Sequence, residues 1–331
     1  MRTRSVAVLV ACLAALGCDR AKNFLGQARG AGGAGLGEVA PGGEVDRGLA
    51  GMVSRRSGGV SFRRDLPFPS RVESWMKVRL DHRDVQVVEA SGPETQTRSK
   101  ASYAVETVTL CRKHPGSFEL SLLKAARRQV ADPGKSKTQD WQPGHSADLE
   151  DQTIGFVLAE HGWRPRQESG PVDFKRAVWS EALKECVPQL MIESGAHPRV
   201  LWFSRERVWK PGDQLDLKGK ALKILEPSDV SGLVHLRFAG EEAIDGHPCG
   251  VFSVTGRMNV EGLVQPDGTR QDCDITIDSG KIWASLLHPV ILREEYETVQ
   301  TCTEEGGRGG GKRNLQGAIK VTKVRSWKAG D

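Results

Sequence analysis

From Val72 onward the apolar positions recur at every second residue. Met76, Val78 and Leu80 alternate with Lys77 and Arg79, and Val85-Gln86-Val87 continues the alternation up to Ser91-Gly92-Pro93. Tyr103, Val105, Thr107 and Thr109 repeat the pattern, so two long strands joined as a hairpin are expected. Phe118 to Val130 fits two templates: Ser117 could cap a helix carrying Leu122, Ala126 and Val130, whereas Leu120 and Leu122 fit a strand. Its strand neighbours favour the strand. Asp132-Pro133-Gly134 and the polar residues up to His145 read as a loop. One stretch has helical spacing: Trp179, Leu183, Cys186, Val187 and Leu190 fall on one face of a helix over Ala177 to Leu190.

The last third alternates most regularly. Strands are expected over Leu233–Phe238, Cys249–Val260, Gln271–Asp278, Lys281–Leu286, Val290–Cys302 and Asn314–Val324. Gly246-His247-Pro248, Pro266-Asp267-Gly268, Ser279-Gly280 and the glycines from Gly306 to Gly311 supply the turns. Along the Val290 strand, Arg293, Glu295 and Glu297 share one face, which should be wet. These patterns predict a mostly β protein: an antiparallel curved sheet or open barrel with one or two packed helices. The body covers residues 61–331, and its two halves, about 61–195 and 196–331, are candidate subdomains. They share no motif at matching offsets that would mark a duplication.

The N-terminus breaks this pattern. Arg2 and Arg4 precede an apolar run from Val6 to Leu16, which ends in Gly17-Cys18. The run is shorter than the about 20 residues a membrane helix needs and has the layout of a secretory leader. Ala15-Leu16-Gly17-Cys18 resembles the signal of bacterial lipoproteins. The resemblance implies a signal peptide over residues 1–17 and Cys18 as the lipidated N-terminus. Leu9-Val10-Ala11-Cys12 fits the tetrapeptide better but leaves a shorter apolar run, so length favours Cys18. An ordinary cleaved leader with Cys18 incidental is the competing reading. Residues 18–60, rich in Gly and Ala, read as a tether with a reach of roughly 35 Å. The expected location is the cell envelope, on the periplasmic side of a membrane held through the N-terminal lipid.

Composition narrows the function. A net charge of +5, two units of it from Arg2 and Arg4, is spread along the chain and argues against nucleic acid as a partner. Five of the seven cysteines lie in the body, too far apart for a Cys-x-x-Cys unit. In an exported protein they can pair, and a bridge among Cys249, Cys273 and Cys302 is the preferred arrangement.

Chemistry-bearing motifs are sparse, and no cofactor is implied. Gly306 to Lys312 meets the first part of a phosphate-loop pattern, but Arg313 stands where a hydroxyl is required. His247 and Cys249 have suggestive metal-ligand spacing without a complete set of four. No Gly-x-Ser-x-Gly elbow is present, and the histidines, including His82, His161, His235 and His288, lie one to a segment. Eight tryptophans stand against two tyrosines. Trp75, Trp179, Trp202 and Trp283 sit in apolar periodic settings and read as core. Trp141 and Trp163 sit in polar sequence and are the candidates for ligand contact. The chain reads foremost as a non-enzymatic binding or structural protein of the envelope, its partner a small apolar ligand, a lipid or an envelope protein. A hydrolase or metal enzyme built on His247, Asp272 or His288 is one rival, and a protein-interaction module of an envelope assembly the other.

Overall fold

A computed structural model describes residues 47–63, 72–90, 96–130, 138–144, 147–159, 162–166, 207–225, 230–264, 270–288, 290–305 and 312–329. A five-residue helix, Arg47–Gly51, precedes a small hairpin of β1 (Ser54–Arg56) and β2 (Gly59–Ser61). Then come β3 (Val72–Ala90), β4 (Gln96–His114), β5 (Ser117–Gln129), β6 (Gln142–Pro143), β7 (Thr153–Ala159) and β8 (Gly162–Pro165). The second half supplies β9 (Gln214–Lys218), β10 (Val230–Ile244), β11 (His247–Val264), β12 (Arg270–Ser285), β13 (Ile291–Glu305) and β14 (Lys312–Ala329).

Strands β3 to β14 form one open, antiparallel sheet in the order β8-β7-β5-β4-β3-β14-β13-β12-β11-β10-β9, with β6 laid beside β5. Each half is a run of neighbours joined in sequence. The last strand, β14, returns to pair with β3 along Val72 to Ala90 and unites them. Because β8 and β9 end the sheet without meeting, the barrel does not close.

Turn chemistry sets the hairpins. Asp245 and Gly246, at φ 54° and 81°, form the two-residue turn between Ile244 and His247, the mirror-image turn that suits twisted strands. The turn therefore lies one residue earlier than expected. Ser279-Gly280, expected as a turn, lies inside β12, where the register shifts between Ile277 and Ser279. Gly280 serves packing: a Cβ there would stand 2.7 Å from Cδ1 of Tyr296. Phe118 to Gln129 is a strand, and the polar stretch before His145 contributes β6. The helix expected over Ala177 to Leu190 and the loop Gly306 to Gly311 lie outside the described residues.

The main core lies on one face of β10 to β12. Val234, Leu236 and Phe238 meet Phe252 and Val254, with Ile275, Ile277 and Ile282 beyond. Phe62, after β2, and Trp209 are both fully buried over this face. Ring centroids lie 5.0 Å apart for Trp209 and Phe252 and 5.7 Å for Phe62 and Phe252. Backbone hydrogen bonds between Val60 and Trp209 hold the two segments together. Burying each such ring stabilises the fold by about 1.5–3 kcal/mol. Val53 and Val60, within the stretch read as tether, are buried in this same core.

Candidate functional site

The side chains of β3 keep even parity on the core face through Met76, Val78, Leu80 and His82, then change to Val85 and Val87. One extra residue causes the switch. His82 pairs with Tyr103 but Val85 with Ala101 on β4, and on β14 Gln316 and Ala318 face Gln86 and Arg83. β3 is therefore bulged against both neighbours. Asp84 takes the left-handed conformation at φ 53°, its N–H donates to Ser102 Oγ at 3.0 Å, and its carboxylate pairs with Lys100 at 2.8 Å.

Opposite the bulge the inward row of β14 reads Leu315, Gly317, Ile319, Val321. Gly317 leaves a gap in that row, and a Cβ there would stand 2.8 Å from Cγ2 of Val85. Bulge and glycine together open a groove across β12, β13, β14, β3 and β4, with a cavity of about 40 Å³. At roughly 10–15 Å³ per buried water, that is room for about three water molecules. Leu80, Val85, Ile319 and Val321 make its apolar wall, and Gln271 and Gln300 its polar side. Among the described residues no Lys, Arg, Asp or Glu lines it. The polar side continues an inward row on β13, where Glu294, Thr298, Gln300 and Glu304 are buried. Gln300 donates to Thr298 Oγ1 at 3.2 Å, Gln271 to Glu304 at 3.3 Å, and the Tyr296 hydroxyl to Glu294 at 2.8 Å. The outer row of that strand, with Glu297 exposed, is the wet face expected from sequence.

His82 lines the groove at 4% exposure, stacked on Tyr103 with centroids 4.2 Å apart and planes 13° from parallel. Its Nε2 has no hydrogen-bond partner among the described residues. Burial drives its pKa down to about 4, with the charge of Asp81 opposing, so the imidazole is neutral at physiological pH.

The residues singled out from sequence lie elsewhere. Trp141, just before β6, lies on the opposite face of β5, with Arg128, Lys124 and Arg79 at 4.8, 5.6 and 5.7 Å from its ring. Beneath it Glu106 is buried between Lys77 and Lys124, at 2.8 and 2.7 Å. Trp163 belongs to the end strand β8, paired with Leu158. Trp283 lies in a second small cluster with Val251, Val290 and Leu292, its indole N–H donating to Glu242 at 2.7 Å. Cys273 and Cys302 are bonded across β12 and β13, Cα atoms 4.1 Å apart, while Cys249 is a free, buried thiol whose pKa is raised by burial. Cys18 lies outside the described residues.

His247, Ser285 and His288 do come together. The Ser285 Oγ accepts the N–H groups of Leu287 and His288 and shares a hydrogen bond of 2.7 Å with His247 Nε2. The hydroxyl is fully buried and closes the turn between β12 and β13. Burial, and then repulsion from His288, lowers the His247 pKa to about 3, so this ring is neutral at physiological pH. Asp272, the acid proposed to work with these histidines, is exposed near the other end of β12. From Ser285 that is about 40 Å along the strand. Asp272 therefore stands apart from His247 and His288. As for the His247 and Cys249 metal pair, among the described residues no three His, Cys, Asp or Glu side chains converge to hold an ion. The Cys249 thiol faces the His247 carbonyl oxygen, at 3.5 Å.

Sequence reading passed over His82 and Tyr103, which lie on strands and form no motif. The change from even to odd apolar parity at Arg83-Asp84 was the available signal.

No known family model matches this chain, and no curated protein matches it in sequence. Among solved structures, a chain described under lipid-protein interactions in lipovitellin matches with a TM-score of 0.35 and 9% identity. The match covers 80% of this chain and 26% of that one, so this chain spans about a quarter of its length. A likeness at that level carries no functional argument.

Proposed function

We propose that this chain is a non-enzymatic binding protein of the bacterial cell envelope, anchored through Cys18, which holds a small apolar or lipid-like ligand on one face of its sheet. The observation that carries the reading is the groove over the β3 bulge: an apolar wall, no charged lining, and one neutral imidazole. Small-molecule sites are mostly apolar with a few placed polar groups, and this one has that composition. Two further features support the envelope assignment. The stretch read as a leader ends in Gly17-Cys18, and a Cys273–Cys302 bridge fits maturation in an oxidising compartment.

The test uses the neutral apolar dye N-phenylnaphthylamine. Its fluorescence should rise on adding the protein and fail to rise with Leu80→Lys, which places an ammonium in the half-exposed wall of the groove. An equal rise with both would remove the groove as the binding site. For the anchor, Cys18→Ser should move the protein from the membrane fraction to the soluble fraction, and unchanged partition would refute lipid attachment.

A further inference from the structure

We propose that the groove selects a neutral amphiphile, a hydrocarbon chain ending in a hydroxyl or similar uncharged hydrogen-bonding group, which bonds Nε2 of His82. The inference rests on the reading of this groove as the binding site and adds the chemical class of the ligand.

Three observations carry it. First, His82 Nε2 is buried without a hydrogen-bond partner among the described residues, in a residue that is itself 4% exposed. A nitrogen so placed has no protein partner among the described residues, and a ligand hydroxyl would supply one. A hydroxyl both donates and accepts, so it satisfies the nitrogen in either ring tautomer.

Second, the lining excludes charge. A carboxylate or phosphate brought to His82 would shed its hydration with no Lys or Arg among the lining residues to replace it. An ammonium fares no better, since no carboxylate lines the groove. Glu304 is engaged by Gln271 and by Arg313 at 3.5 Å, and Glu294 by Tyr296.

Third, the dimensions divide the ligand in two. About 40 Å³ admits only a small end group, leaving the chain to lie on Leu80, Ile319 and Val321. Each methylene removed from water there adds to the affinity. The imidazole also arrives held in place: its stacking on Tyr103 and the Asp84 bulge fix the ring, so little ordering is left to the ligand.

The experiment compares 1-monodecanoylglycerol with decanoate, the same chain with a neutral or an anionic end, binding to the lipid-stripped full chain at pH 8 by calorimetry. The glyceride is expected to bind at least tenfold more tightly. His82→Phe keeps the stacked ring and removes the nitrogen, and should lower glyceride affinity about tenfold while leaving decanoate unchanged. Decanoate binding as tightly as the glyceride to the wild type overturns the ligand class and leaves the groove reading standing. Binding of neither overturns both. Equal glyceride affinity for wild type and a folded His82→Phe overturns the role of the imidazole. Should the variant not fold, the wild-type comparison decides the ligand class alone.

Discussion

His82 lies flat on Tyr103 across the β3–β4 pair, and the stack inserts a titratable ring into a buried wall where charge is not tolerated. That has a consequence for stability. Unfolded, the imidazole titrates near 6.5; folded, burial holds it to about 4, and His247 is held to about 3. Between pH 6.5 and 4 the unfolded chain binds the extra protons, so stability is full above 6.5 and falls as pH drops through that window. Each imidazole contributes a slope of up to ~1.4 kcal/mol per pH unit. Asp245 acts in the opposite sense. Burial raises it to about 6 against the pull of Arg293, so the folded form holds its proton first. Urea unfolding at pH 7 and pH 5 separates these effects. His82→Phe should reduce the loss between the two pH values by roughly 2 kcal/mol relative to wild type, and an identical loss would show that His82 is not buried neutral.

Gly317 is the residue whose missing side chain leaves the groove open. Its Cβ would meet both Cγ2 and, at 3.0 Å, Cα of Val85, and the latter belongs to backbone pinned by the bulge. Gly317→Val should therefore fill the groove and cost about 1–3 kcal/mol by overpacking. Thermal melts give the cost. Dye fluorescence below the melting temperature gives the filling, and should fall to background. Undiminished dye binding to a folded Gly317→Val protein would place the site elsewhere.

The Cys273–Cys302 bridge closes a loop whose ends are 29 residues apart, in strands already paired in register. Chain-entropy arguments put such a cross-link at about 3.5 kcal/mol, less whatever hairpin structure survives in the unfolded chain. Replacing both cysteines with alanine should lower the unfolding free energy by about 2–4 kcal/mol in denaturant titrations. Dithiothreitol should produce the same loss in the wild type and none in the double variant. A wild type indifferent to reductant would contradict the bridge.

Much of the sheet was legible because its signal is local. Val234, Leu236 and Phe238 declare their face by alternation alone, and Gly246 marks its hairpin, although the turn begins at Asp245 rather than at the glycine. What escaped is non-local. Nothing near Ser279-Gly280 in sequence says that Tyr296 lies over Gly280, so two residues with turn chemistry sit mid-strand. Trp209 is fully buried among the polar neighbours Arg207, Lys210 and Asp213 because Phe62 and Phe252 reach it from about 150 and 40 residues away in sequence. The groove escaped for the same reason. It needs a bulge in β3 and a glycine in β14, more than 230 residues apart, to meet through a strand pairing that no motif announces.

Glu106 supplies the last test, on the face opposite the groove. Burial alone would raise its pKa. The hydrogen bonds from Lys124 and Lys77, with their charges, outweigh that and hold it below the ordinary carboxylate value. Its contribution is therefore present above about pH 4.5 and lost as the pH falls below it. Removing one partner of a fully buried pair costs about 3–5 kcal/mol; here both lysines reach water, so Glu106→Gln should cost nearer 1–2 kcal/mol. Lys124 also faces the Trp141 ring, which makes the network dissectible. In a double-mutant cycle of Glu106→Gln with Lys124→Met, the coupling should approach 1 kcal/mol, because the two changes remove one shared hydrogen bond. Zero coupling would mean that the lysines are held by Trp141 rather than by the carboxylate. In that case Trp141→Ala, not Glu106→Gln, would be the variant that loosens this face.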